Sequence, residues 1–336
     1  MESILAVTFP FFALVLLGYL AAKRRVLPEA AIPGLNTFVL FFALPCMLFR
    51  FGASMPFRTL IDPVLMGVYA VCALLIVAIT VGATLRRRHA ASRGVDLRDA
   101  AFGALVAAFP NTGFMGVPLL VALLGDSAAG PAIGTILVDL VLTSTLCIAL
   151  AQAQSHTAPL DDDGVTRWQD MLAGMGRSLR SAMTNPLPWA IGLGALLAAS
   201  GHRLPGPIDQ VVKMLGDAAS PVALFTIGAV LWRAGQHSHT RTPLRHYLPV
   251  ALIKLLAHPM IVLGVGLLAR AAGADVPAYG LMVIVLVAAL PSASNVSLLA
   301  ERFGADNGRV ARIIMASTVL SFASFTAIAW AFGTRG

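Results

Sequence analysis

The feature that most constrains this chain is a series of ten long apolar runs, at roughly 3–22, 33–52, 63–85, 100–124, 129–153, 185–201, 211–232, 247–270, 277–300 and 309–332. A helix of about 20 apolar residues crosses the hydrocarbon of a bilayer. Charged residues make up only 12% of the chain, whereas a soluble domain carries about 25%. Too little charged surface remains to cover a water-facing protein, so lipid must be the solvent for most of the outside. The sequence predicts an all-α integral membrane protein of ten transmembrane helices.

The net charge of +8 does not signal nucleic acid, because the basic residues sit in short clusters between apolar runs. One set of alternate loops collects 17 Lys and Arg, beginning with Lys23, Arg24 and Arg25 and ending with Arg302, Arg309 and Arg312. The opposite side holds six: Arg50, Arg58, Arg203, Lys213, Arg270 and Arg335. Positive loops stay in the cytoplasm. This predicts a multi-pass protein of the plasma (inner) membrane with both termini outside the cytoplasm. Glu2 opens the chain without a basic stretch, so no cleaved signal peptide is expected. Cys46, Cys72 and Cys147 all fall within apolar runs and form no CxxC pair. They read as small buried hydrophobes, and no metal or cofactor is expected.

A polar stretch at 154–184, with Asp161, Asp162 and Asp163, reads as a solvated cytoplasmic linker rather than a metal site. It divides the chain into 1–153 and 185–336, five runs each. An odd number per half means that the second half enters the membrane upside down. The halves also share sequence. Pro45-Cys46-Met47-Leu48-Phe49 parallels Pro221-Val222-Ala223-Leu224-Phe225. Leu119-Leu120 with Gly125 parallels Leu298-Leu299 with Gly304 at nearly the same spacing along the chain. Two matches at nearly one offset, with opposite topology, predict a five-plus-five inverted repeat of the kind found in secondary transporters.

Runs 4 and 9 are interrupted. Run 4 contains Phe109-Pro110-Asn111-Thr112-Gly113, and run 9 contains Leu290-Pro291-Ser292-Ala293-Ser294-Asn295. Proline removes a backbone donor and clashes with the preceding turn. In lipid, the freed carbonyls must find partners or line a wet cavity. Half-helices beginning near Pro110 and Pro291 would aim N-terminal N–H groups at the midplane, a setting for an anion. Pro110, Asn111, Thr112, Gly113, Pro291, Ser292, Ser294 and Asn295 are the candidate substrate-binding residues. The alternative is a pair of proline kinks packed through small residues such as Gly113 and Gly116. Asp139 and Lys254 are charges within runs, candidates for coupling or charge compensation. Lys254 could instead snorkel to the cytoplasmic interface, and His258 stands one turn beyond it.

These residues resemble a known family. Pro110-Asn111-Thr112, then Gly116-Val117-Pro118-Leu119-Leu120 and Gly125, is similar to the fourth-span signature of the auxin efflux carrier family. That family includes plant auxin exporters and bacterial carriers labelled malonate transporters. Phe41-Phe42-Ala43-Leu44-Pro45, Asn185-Pro186, the stretch from Lys254 to Pro259, and Ala288-Ala289-Leu290-Pro291 resemble its second, sixth, eighth and ninth spans. The resemblance implies crossed broken helices 4 and 9, with Pro110, Asn111 and Pro291 at the crossover. It also implies elevator-like movement of spans 3–5 and 8–10 against a scaffold of spans 1, 2, 6 and 7. After Pro291 the chain departs from the plant pattern, which argues against auxin itself.

The function expected is a secondary carrier for a small organic anion, a malonate-like carboxylate, embedded in the lipid bilayer, with room for a homodimer. No P-loop is present to drive a pump. An intramembrane enzyme would need paired catalytic groups, but the sequence has no HExxH, no GxSxG and only one aspartate well inside a run. A membrane sensor is the other alternative, and no soluble signalling domain accompanies the helices.

Overall fold

The computed structural model describes residues 2–56, 60–88, 95–153, 176, 184–236 and 242–333. Apart from Gly176 and Thr184, the expected linker with Asp161, Asp162 and Asp163 lies outside the described residues. So do Arg58, Arg93, Arg167, Arg177, Arg180, Arg241 and Arg335 among the basic residues that set the expected orientation.

Every named element among the described residues is helical. In chain order these are α1 (Glu2–Lys23), α2 (Ala31–Ser54), α3 (Pro63–Arg88), α4 (Leu97–Ala108), α5 (Thr112–Leu124) and α6 (Asp126–Gln152). The second half supplies α7 (Pro186–Ser200), α8 (Gly206–Gln236), α9 (Leu244–Ala271), α10 (Ala278–Ala288), α11 (Val296–Arg302) and α12 (Asn307–Ala331). Each apolar run of the sequence is helical, and runs 4 and 9 are each split in two. Seven helices among the described residues are long and apolar enough to cross a membrane, namely α1, α2, α3, α6, α8, α9 and α12. Shorter apolar helices are α5, α7 and α10.

The helix starts follow from local chemistry. Asn185 accepts from the Leu187 N–H at 3.0 Å, with Pro186 in the first helical position of α7. Asp96 accepts from Asp99 N at 2.8 Å to open α4, and Asp306 from Arg309 N at 2.9 Å to open α12. Each such cap satisfies a donor that the first turn leaves unpaired. Large apolar side chains point outward along α1, α7, α9 and α12; Leu17, Leu196, Leu268 and Val319 are more than half exposed. An apolar exterior on this scale suits lipid rather than water.

Two helix pairs pack at backbone distance. In the pair α1–α8, a Cβ on Gly18 would overlap the Phe225 carbonyl, and one on Gly228 the Val15 carbonyl. In the pair α7–α2, Gly194 faces the Phe49 carbonyl and Gly52 the Ile191 carbonyl in the same way. Gly18 and Gly194, Gly52 and Gly228, Val15 and Ile191, and Phe49 and Phe225 are all separated by one and the same sequence offset. That offset is the one that relates the Pro45 and Pro221 segments. The second sequence match also has a structural counterpart: Gly125 closes α5 at φ 86° and Gly304 follows α11 at φ 68°, a backbone region that glycine enters without strain.

Candidate functional site at the crossing of two broken helices

The breaks in α4–α5 and α10–α11 meet. Asn111 donates its N–H to the Pro291 carbonyl at 2.8 Å, and Ala293 donates to the Phe109 carbonyl at 3.0 Å. Pro110 and Ser292 form an isolated antiparallel bridge. Each break thus supplies the partners that the other lost, as buried backbone in an apolar medium requires. Ser292 is tied further to α12, its N–H to Ser317 Oγ at 3.2 Å and its hydroxyl accepting from Ser317 at 3.1 Å.

The two breaks differ in one respect from the sequence expectation. Helix α5 begins at Thr112, two residues after Pro110, as expected. Helix α11 begins at Val296, not near Pro291. The cross-bonds at Pro291 and Ala293 hold that stretch extended, so helical geometry resumes only beyond Asn295.

A cleft with about 410 Å³ of atom-free space, its open mouth included, lies against the crossing. Pro110, Asn111, Gly113, Ala293 and Asn295 of the crossing line it together with Leu40 and Leu44 of α2 and Asn185 and Leu187 at the start of α7. Phe109, Phe114, Ile136 and Leu140 complete an apolar wall. Among the described residues the lining contains no acid, base or nucleophile, and its polar side chains are three carboxamides. Among the candidates, Pro110, Asn111, Gly113 and Asn295 reach the cleft. Thr112, Pro291, Ser292 and Ser294 are buried but outside its lining, and Thr112 Oγ1 has no hydrogen-bond partner. Sequence reasoning marked Asn185 only as a helix start, and its Asn-Pro signature gives no hint that it lines the cleft.

Asp139 and Lys254 sit elsewhere, both fully buried. Asp139 accepts from Tyr69 Oη on α3 and from Thr143 Oγ1, each at 3.0 Å. Lys254 does not snorkel; its Nζ donates to the Ala288 carbonyl at 2.6 Å and lies 3.2 Å from His258 Nδ1. Both residues occupy π-turns, Asp139–Thr143 and Ile253–Ala257, the kind of helix widening that is frequent at functional sites. No His/Cys/Asp/Glu cluster able to hold a metal occurs among the described residues. Arg309, counted in the sequence only as a topology charge, is buried and clasps two elements. Its Nη1 donates to Asp99 O on α4 at 2.8 Å and its Nε to His246 O on α9 at 3.0 Å.

Fold and site together define a multi-pass membrane protein built around two interrupted helices that exchange backbone bonds. The chain belongs to the membrane transport protein family, the auxin efflux carrier family, which matches residues 3–329. It is 27% identical over 332 residues to a provisionally named malonate transporter of Rhizobium meliloti (strain 1021), covering 98% of this chain and 95% of the relative. It is 27% identical over 330 residues to the uncharacterized transporter YfdV of Escherichia coli (strain K12), covering 97% and 96%. Auxin efflux carrier component 8 of Arabidopsis thaliana is 24% identical over 298 residues, covering 77% and 80%.

Proposed function

We propose that this protein is a secondary carrier that moves a small carboxylate across the plasma membrane, binding it in the cleft at the crossing. The observation that carries the reading is that Asn111 and Asn295, one from each broken helix, line the same cleft. Carboxamide N–H groups and the positive end of α5 suit a carboxylate without a fixed cation. An apolar wall around them suits a substrate with one charge and an apolar remainder. A relative named for malonate keeps a dicarboxylate in the first test panel.

The architecture is read as ten membrane-spanning segments in a five-plus-five inverted repeat, 1–153 and 185–336, joined by a cytoplasmic linker. The glycine contacts that recur at the offset of the Pro45 and Pro221 segments support it. Residues of α2 and α7 line the cleft together with residues of the crossed breaks. That shared lining supports an elevator-type mechanism in which α3–α6 and α9–α12 move against α1, α2, α7 and α8. The basic loops support cytoplasmic placement of the linker, with both termini on the opposite side.

Thermal shift of the purified protein with malonate, succinate, lactate, indole acetate and a neutral amide analogue tests the reading, because a binder raises apparent stability by mass action. A shift with a carboxylate that is absent for the amide and lost in Asn111→Ala is expected. A shift with the amide alone, or none with any acid at millimolar concentration, overturns the organic-anion substrate.

A further inference from the structure

Among the described residues no cationic side chain lines the cleft at the crossing, yet two charges are buried elsewhere in the helices. Tyr69, Asp139, Lys254 and His258 are all fully buried and come from α3, α6 and α9. They form a chain: Thr143 and Tyr69 donate to Asp139, the Tyr69 ring lies 5.9 Å from the His258 ring, and His258 Nδ1 meets Lys254 Nζ. Lys254 ends the chain on the Ala288 carbonyl. That carbonyl closes α10, whose preceding carbonyls Val285, Leu286 and Val287 are satisfied by Ala289 and Leu290 N–H. An ammonium at the negative end of a helix is favourable, and Ala288 is five residues before Ala293, which lines the cleft.

Two features of the chain have no purely structural purpose. Asp139 and Lys254 are not in contact: the carboxylate is bonded to hydroxyls, and the ammonium to a carbonyl and an imidazole. A separated charge pair in a low-dielectric interior costs far more than a contact pair. In addition, His258 Nε2 is buried without a hydrogen-bond partner among the described residues; with the ammonium on Nδ1 it carries the ring hydrogen, a donor left unsatisfied inside the cluster. Among the described residues, Cys72 and Cys147 are the other titratable groups within electrostatic reach, of Tyr69 and Asp139 respectively.

We infer that the Asp139–Tyr69–His258–Lys254 cluster is a proton-binding site, and that its protonation supplies the positive charge that balances a carboxylate in the cleft. The inference rests on the carrier reading above. A proton given up by hydronium or a buffer acid, whose conjugate base stays in bulk solvent, forms an O–H bond on the Asp139 carboxyl, and one of the two hydroxyls that donated to it turns to accept. No bond of the substrate changes. The cluster then carries Lys254 without its counter-charge, next to the break, and a bound monoanion restores neutrality. One proton balances one negative charge, so the protein loaded with a monoanion such as indole acetate is electroneutral, whereas malonate, a dianion at neutral pH, leaves one charge unbalanced. Lys254 is a positioning and charge-balancing residue here, acting through the backbone of α10.

The test is calorimetric titration of the purified full chain with malonate and, separately, indole acetate. It is run between pH 6.5 and 8 in buffers of different ionisation enthalpy, which reports protons taken up per anion bound. The wild type is expected to take up about one proton per anion, with affinity falling about tenfold per pH unit where the site titrates. Asp139→Asn is expected to bind with no proton uptake and pH-independent affinity. Lys254→Met is expected to lose binding and Lys254→Arg to keep it. A group that only packs would leave proton uptake unchanged in Asp139→Asn. If that variant does not fold, Tyr69→Phe replaces it, and an unmoved pH midpoint of proton uptake overturns the inference. Wild-type binding without proton uptake overturns it while leaving the carrier reading intact. Failure of both probes to bind overturns the carrier reading and the inference together.

Discussion

Gly52→Ala tests the tight helix pairs directly. An ideal Cβ on Gly52 would lie 2.7 Å from the Ile191 carbonyl oxygen, whereas ordinary contact begins at 3.4 Å. Helices α2 and α7 must therefore part by about 0.7 Å, and a gap of that size forfeits about a quarter to a half of each dispersion contact along the seam. Overpacking of this kind costs about 1–3 kcal/mol. Replacing glycine by alanine inside a helix also returns about 1 kcal/mol of propensity. Gly264→Ala isolates that gain, because nothing lies within 4 Å of its Cβ position. The expected result is that Gly52→Ala is less stable than Gly264→Ala by about 1–3 kcal/mol, read as thermal or denaturant unfolding in detergent. Gly228→Ala, in the α1–α8 seam, is expected to cost more, because its Cβ would lie closer to the Val15 carbonyl oxygen than that of Gly52 would to Ile191. Equal stability of Gly52→Ala and Gly264→Ala would refute the packing argument.

Three further sets of substitutions probe the site and its supports. Asn111→Ala and Asn295→Ala are expected to weaken carboxylate binding about tenfold or more each, on the scale of about 1.5–3 kcal/mol for a hydrogen bond to a charged group, with unfolding temperatures near wild type. Loss of folded protein in both would favour kinks that serve packing alone. Lys254→Ala is expected to abolish uptake and also to lower stability, since the Ala288 carbonyl loses its donor; normal uptake would remove Lys254 from the mechanism. Arg309→Lys is expected to destabilise by about 1–3 kcal/mol, because one ammonium does not reproduce the two-directional reach of the guanidinium to Asp99 O and His246 O.

The membrane-embedded helical fold was legible because its signals are local. Apolar length marks each helix, and Pro110 and Pro291 break theirs wherever the rest of the chain lies. The offset relating Pro45 to Pro221 was legible too, and the glycine contacts of α1–α8 and α7–α2 recur at that same offset. What meets across space was not. Nothing near Gly18 announces that Gly228 shares its seam, and nothing near Asn185 places it in one cleft with Asn111. Ser292 carries the same polar signal as Asn295, yet it turns to Ser317 while Asn295 faces the cleft. The start of α11 was missed because cross-bonds from Phe109 and Asn111 outweigh the preference of Pro291 for a first helical turn. Lys254 was legible as a buried charge, but its acceptor is a backbone carbonyl, a group present at every residue.

Counterflow into proteoliposomes tests the central claim most directly. Vesicles loaded with unlabelled malonate or indole acetate, and containing either the wild type or Asn111→Ala, are diluted into the matching radiolabelled acid. The account predicts saturable, transient accumulation of at least one label with the wild type, and accumulation that is much reduced at the same concentration with folded, inserted Asn111→Ala. Equal accumulation by the two proteins, or none by a folded wild type with either acid, would contradict it.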